Sequence, residues 1–160
     1  MRTDVMTEPS KVIHGSFTVE RTYKHAPSKV FLAHADTATK RRWFIEGEGW
    51  EVFEHRNDFR VGGEEFSRFR FGDGPEMTNV TQYQDIVPDR RIVISYRMTV
   101  AGVNISVSLA TIQIDPVPDG CRLTYTEQGA YFDEPNALAM REEGCRELLE
   151  ALARELDGAA

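Results

Sequence analysis

The sequence predicts an α+β domain: a curved antiparallel β-sheet wrapped around a long C-terminal helix, with two short helices after the first strand. Three observations predict it. Turn signals recur about every 8 to 15 residues through the middle of the chain, which fits an antiparallel meander. Apolar residues at 138, 145, 148, 149, 152 and 156 keep a helical period across 134–156. Between the first strand and the meander, only two short stretches carry helical start signals.

The elements follow in order. SFTVERTYK, residues 16–24, alternates, with Phe17, Val19 and Tyr23 on one face and Thr18, Glu20 and Thr22 on the other. That is a half-buried strand. Arg21 falls on its apolar face, where a guanidinium needs a partner. Pro27 suits the first turn of a helix, SKVFLAHA, that sets Val30, Phe31 and His34 on one side. Asp36 can cap a second short helix running to Trp43. After Gly47 and Gly49 the chain reads as a strand from Trp50 to His55, and Gly62-Gly63 precedes another, EEFSRFRF. Gly72-Asp73-Gly74-Pro75 is a reversal. TNVTQYQDIV (78–87) and RRIVISYRMTV (90–100) meet at Pro88-Asp89, and NISVSLATIQID (104–115) passes through PVPDG to CRLTYTEQG (121–129). A single sheet of this many strands curls, and its concave apolar face needs a cover. Only the C-terminal helix is long enough. Residues 1–15 are polar and aperiodic and read as a flexible segment, which leaves 16–160 as one domain.

Composition excludes several classes of function. The net charge of −7 argues against nucleic acid and anionic membrane surfaces, both of which select basic proteins. Lys40-Arg41-Arg42 reads as a solvated helix face. No stretch is apolar enough for a secretory signal or a membrane span, so a cytoplasmic location is expected. Cys121 and Cys145 show no paired spacing and read as free thiols. His14, His25, His34 and His55 form neither HxH nor HExxH, and no GxSxG elbow or P-loop occurs. No metal, cofactor or recognisable catalytic motif is therefore expected.

Three stretches resemble a known superfamily. They are Val19-Glu20-Arg21 through Ala26-Pro27-Ser28-Lys29-Val30-Phe31, then Val61-Gly62-Gly63 with its aromatic strand. The third is Leu123-Thr124-Tyr125-Thr126-Glu127-Gln128-Gly129-Ala130-Tyr131 together with the Arg-Glu-Glu-Gly of the helix. They resemble the START-like, or SRPBCC, superfamily and its helix-grip fold, and within it the branch named after the activator of the 90-kDa heat-shock chaperone ATPase. The likeness spans residues 16–157. It implies a hydrophobic hollow between sheet and helix, and hence a small apolar, aromatic or lipid-like ligand. Members also include polyketide cyclases and chaperone activators, so the resemblance leaves open a cyclase- or hydrolase-like enzyme in the same hollow, or a chaperone contact. A homodimer is compatible with a domain this small.

The candidate ligand-binding residues follow from the two readings together. The helix stretch MREEGCRELL carries Gly144, which costs about 1 kcal/mol relative to alanine. It continues the arc of Met140 and Ala137, so the missing side chain either admits a strand or aromatic at close range or enlarges a hollow. Phe53, Phe69, Phe71, Tyr83, Tyr96 and Tyr125 alternate with polar neighbours on the strands, with Met98 among them, and Trp43 flanks the short-helix end. Arg21 and Glu127 share parity with apolar residues. They could pair with each other across the sheet or orient a polar ligand group, and Glu127 would be the base in an enzymatic reading.

Overall fold

The computed structural model describes residues 10–158. Strand β1 (Val12–Tyr23) leads into helices α1 (Pro27–Ala35) and α2 (Thr37–Phe44). Six strands follow: β2 (Trp50–Asn57), β3 (Glu64–Phe71), β4 (Met77–Val87), β5 (Arg91–Val100), β6 (Val103–Val117) and β7 (Gly120–Phe132). Helix α3 (Ala137–Gly158) closes the chain. The seven strands form one antiparallel, curved sheet in the order β1-β7-β6-β5-β4-β3-β2. The predicted fold class is the one observed.

β1 starts at Val12, ahead of its expected start, because Val12 to Gly15 pair with Phe132 to Gly129 on β7. Main-chain pairing holds that stretch in the sheet, and its burial alternates in phase with the rest of β1 although its residue types, Val-Ile-His-Gly, do not. The rest of the segment expected to be flexible lies largely outside the described residues. Pro27 opens α1, and the Asp36 carboxylate caps α2 by accepting from the Thr39 N–H at 3.0 Å. Register breaks at Val52/Glu54, Tyr83/Asp85 and Met98/Thr99 bend the strands and curl the sheet.

The apolar core sits between α3 and the β1–β7–β6 side of the sheet. Val19, Leu123, Ile112, Ile114, Leu149 and Leu152 are buried there, with α1 and α2 closing the end through Val30 and Trp43. The two halves of α3 are held differently. Its second half buries Leu149, Leu152, Ala153 and Leu156. Ion pairs Arg21–Glu150 and Arg42–Glu155 and a His25–Asp157 hydrogen bond secure it further, and the Tyr23 hydroxyl donates to the Leu149 carbonyl at 2.9 Å. In the first half, Met140 is exposed, and Arg141 makes the polar contacts to the sheet.

Candidate functional site

The cross-strand register brings the inward side chains into rows across the concave face. One row runs His55, Ser67, Asn79, Met98, Ser106, Tyr131. The next runs Asn57, Glu65, Thr81, Tyr96, Ser108, Gly129. Ten of these twelve residues carry a polar side chain, although Ser67, Thr81, Ser106 and Ser108 are all buried. On one side of this belt the rows turn apolar through Ile92, Ile112 and Val19. On the other side lie Phe69, Met77 and Val100, with Trp50 and Phe71 at an open rim where both are exposed. Buried polar groups need partners. Two carboxylates organise those partners, one at each end of the belt.

Glu127 is fully buried. Its Oε1 accepts from the hydroxyls of Tyr96 and Tyr125, each at 2.6 Å. Its Oε2 accepts from Tyr131 at 2.8 Å and from Arg141 Nη1 at 3.3 Å. Arg141 also donates to Tyr96 Oη at 2.9 Å and, through Nη2, to Ser106 Oγ at 2.8 Å. Burial raises all three tyrosine hydroxyls above the ordinary phenol value, and Glu127 beside them adds to it, so they act as donors. Burial opposes the Arg141 charge, but Tyr96 and Glu127 more than offset it. The neighbouring Cys145 thiol is pushed up to about 12 by burial and by Glu127, which leaves it unreactive. With two bonds on each oxygen, Glu127 has filled the acceptor capacity of a carboxylate. It orients the tyrosines and Arg141, and it has no free lone pair with which to act as a base.

Glu65, at the opposite end, accepts from Lys40 Nζ at 2.9 Å and lies 2.9 Å from His55 Nε2. The Tyr83 hydroxyl donates to Asn57 Oδ1 at 2.7 Å and approaches Glu65 at 3.3 Å. Burial alone would raise the Glu65 value, but the Lys40 ammonium and His55 outweigh it and hold the carboxyl at about 2. Three atoms of this end are buried without a partner: His55 Nδ1, Asn57 Nδ2 and Ser67 Oγ.

Tyr96, Tyr125 and Glu127 are brought together, as the inward parity of their strands implied. Met98 lies in the belt, Phe69 borders it, and Tyr83 closes its Glu65 end. Phe71 forms the exposed rim with Trp50, the rings 5.0 Å apart. The other residues fall elsewhere. Trp43 belongs to the α1–α2 core, where its Nε1 donates to the Ala33 carbonyl at 2.9 Å. Phe53 sits in the β2 bulge under the guanidinium groups of Arg68 and Arg70, on the sheet's outer side. Met140 is 63% exposed, so it is no wall of a closed hollow.

The cross-sheet pairing of Arg21 with Glu127 does not occur. Register sets Arg21 opposite Leu123 and Glu127 opposite Phe17, and Arg21 binds Glu150 on α3 instead, Nε to Oε2 at 2.6 Å. Close packing at Gly144 is not found either. A Cβ built there meets nothing within 4 Å, so the helix stands beside open space on the arc of Arg141 and Leu148. Two surface depressions lie outside the belt. One, of about 470 Å³, runs along the β1–α3 edge past Arg21, Glu143 and Glu150; the other, of about 500 Å³, lies over His14, Ser16 and Gln128.

Tyr131, Arg141, Lys40, His55 and Glu65 were not among the expected site residues. Two of them carried a signal. Tyr131 has the parity of Glu127 on the same strand, and Arg141 is a lone cation on the arc of Cys145, Leu148 and Leu152.

Comparison with known proteins bears on this arrangement. Residues 24–157 match the model of a family described as Activator of Hsp90 ATPase homolog 1-like protein. No curated protein matches the chain. Among solved structures, the Mll3558 protein from Rhizobium loti is 56% identical, with 91% of this chain and 99% of that chain covered and a TM-score of 0.83. An uncharacterised protein from Rhizobium leguminosarum is 30% identical, with coverages of 94% and 99% and a TM-score of 0.89. An AHSA1-like protein from Aeromonas hydrophila, 18% identical with a TM-score of 0.69 over 91% and 94% of the chains, shares the fold.

Proposed function

Because the chain belongs to the Activator of Hsp90 ATPase homolog 1-like family, whose fold often holds ligands, we propose that it binds a small amphipathic molecule on the polar belt of its concave face. The belt itself carries the reading. Wholly apolar rows would fill the space under α3 more stably than ten polar side chains, each of which needs a partner. An amphipathic ligand uses both parts of the face: its polar groups meet the belt, and its apolar part lies toward Phe69, Met98 and the Trp50–Phe71 rim. A purely apolar ligand would leave the belt unsatisfied. The open space at Gly144, on the arc that carries Arg141, supplies room from the helix side.

The test is an amide chemical-shift titration with 1-naphthol and with decanoate. The expected result is saturable shifts at Asn79, Tyr96, Ser106 and Gly144, lost in Gly144→Leu, whose Cβ enters open space and whose branch fills it. If neither probe moves those amides at up to about 1 mM, a concentration that detects binding of roughly −4 kcal/mol, the proposal fails.

A further inference from the structure

The Glu65 end of the belt has a chemistry of its own. His55 and Ser67 are direct cross-strand partners, as are Asn57 and Glu65, so the three unpartnered atoms share one patch of the β2–β3 inner face. The His55 side chain is 1% exposed, and Ser67 is equally buried. His55 and Asn57 are two residues apart on one face, about 7 Å between Cα atoms. Each atom's need is specific. Because the Glu65 carboxylate can only accept, His55 Nε2 is the donor of that bond, and in the neutral imidazole this leaves Nδ1 as an acceptor without a donor. Asn57 Oδ1 is taken by Tyr83, which leaves its NH₂ as a donor without an acceptor. Ser67 Oγ can serve either way.

With a neutral His55 imidazole the charges here already balance. Glu65 faces Lys40 from α2 and His55 from its own sheet, and the Lys40 ammonium lies 4.3 Å above the Phe44 ring. Tyr83 adds a neutral hydroxyl. The carboxylate and the ammonium neutralise one another, so a third charge brought into the patch would be buried with no counter-ion.

Building on the reading of the belt as a ligand site, we propose that His55, Asn57 and Ser67 form its head-group subsite, and that this subsite takes a neutral group with a hydrogen-bond donor beside an acceptor, as in a carboxamide. The carbonyl accepts from Asn57 Nδ2. The N–H donates to His55 Nδ1, with Ser67 Oγ as the second polar contact. The apolar remainder runs from there along Phe69 to Trp50, whose rings lie 5.7 Å apart and lead out to solvent.

The test compares three probes that share one ring: phenylacetamide, phenylacetate and phenethylamine, which are neutral, anionic and cationic at pH 7. Calorimetry gives affinities, and amide shifts at Asn57 and Ser67 give location. The expected result is phenylacetamide bound at this end at least tenfold more tightly than either ion, and weakened severalfold by Ser67→Ala. Asn57→Asp keeps the acceptor for Tyr83 but replaces the donor with a charge, so it should turn the preference toward phenethylamine. A loss of stability alone would not reverse selectivity in that way.

Equal or tighter binding of either ion by the unaltered protein overturns the subsite. So does phenylacetamide binding that neither variant changes, or an ordered water alone between the three atoms in a crystal soaked with phenylacetamide. Each of these leaves the wider belt to be judged by 1-naphthol and decanoate at Tyr96 and Ser106.

Discussion

Removing Arg141 tests how the Glu127 cluster holds together. In Arg141→Met a fully buried carboxylate loses its one cation and keeps three tyrosine hydroxyls. Breaking a buried ion pair costs about 3–5 kcal/mol, and the three remaining donors place this case at the lower end, about 3 kcal/mol. For a domain of this size that lowers the melting temperature by roughly 9 °C. Glu127→Gln leaves Arg141 with Tyr96 and Ser106 as partners, so the expected loss is smaller, about 2 kcal/mol. The double variant has neither buried charge and should lose about 3 kcal/mol rather than the sum of about 5. The coupling of about 2 kcal/mol is the quantity of interest. Urea unfolding followed by tryptophan fluorescence and circular dichroism measures all four corners of the cycle. Single losses that add to within about 0.5 kcal/mol would show that Glu127 and Arg141 act independently and would refute the argument for a charge-balanced cluster.

Three further outcomes follow from the geometry. His34 is buried, and burial together with Lys40 lowers its value from 6.5 to about 4, while Glu65 is held at about 2 against an ordinary 4.5. Both folded values lie below the unfolded ones, so each group adds stability at neutral pH that is lost on acidification. The His34 part, about 3 kcal/mol, should disappear as pH falls from 6.5 to 4, and Glu65 should continue the loss from 4.5 toward 2. Urea midpoints at pH 7 and 4 measure the first loss, and His34→Gln should flatten it. Gly129→Ala would set a Cβ 2.7 Å from Tyr131 Oη and 2.8 Å from Ser108 Oγ, beside Glu127, and should cost about 1–3 kcal/mol, whereas Gly144→Ala meets open space and should stabilise by up to about 1 kcal/mol; thermal melts that rank the two the other way would contradict the described packing. Ala101 (φ 51°) and Gly102 (φ 79°) form the left-handed β5–β6 turn, so Ala101→Asn should raise stability by about 0.5–1 kcal/mol in the same assay.

The fold was legible because its signals are local. Alternation in SFTVERTYK marks β1, Pro27 and Asp36 mark the short helices, and the apolar period through Leu149, Leu152 and Leu156 marks α3. The site was legible only in part. Parity within one strand shows which face a residue occupies, and so identified Tyr96, Tyr125 and Glu127 as inward. It does not give position along the neighbouring strand. Arg21 and Glu127 share a face yet stand four pairing steps apart, roughly 13 Å, so each found a different partner. The belt is a product of register in the same way. Ser67, Asn79 and Ser106 are unremarkable singly and line up only because bulges at Tyr83/Asp85 and Met98/Thr99 set which residues face one another. Phe53 shows the reverse error, since the Val52/Glu54 bulge takes it out of the alternation and onto the outer side.

The unequal anchoring of α3 has a mechanical consequence. Hydrophobic burial, the Arg21–Glu150 and Arg42–Glu155 ion pairs and the His25–Asp157 hydrogen bond pin the second half of the rod, while the first half is held by Leu138, Cys145 and the Arg141 guanidinium. The Arg141 end therefore opens at lower cost than the Leu156 end. A visitor that displaces the guanidinium from Ser106 and Tyr96 would release the catch by the act of arriving.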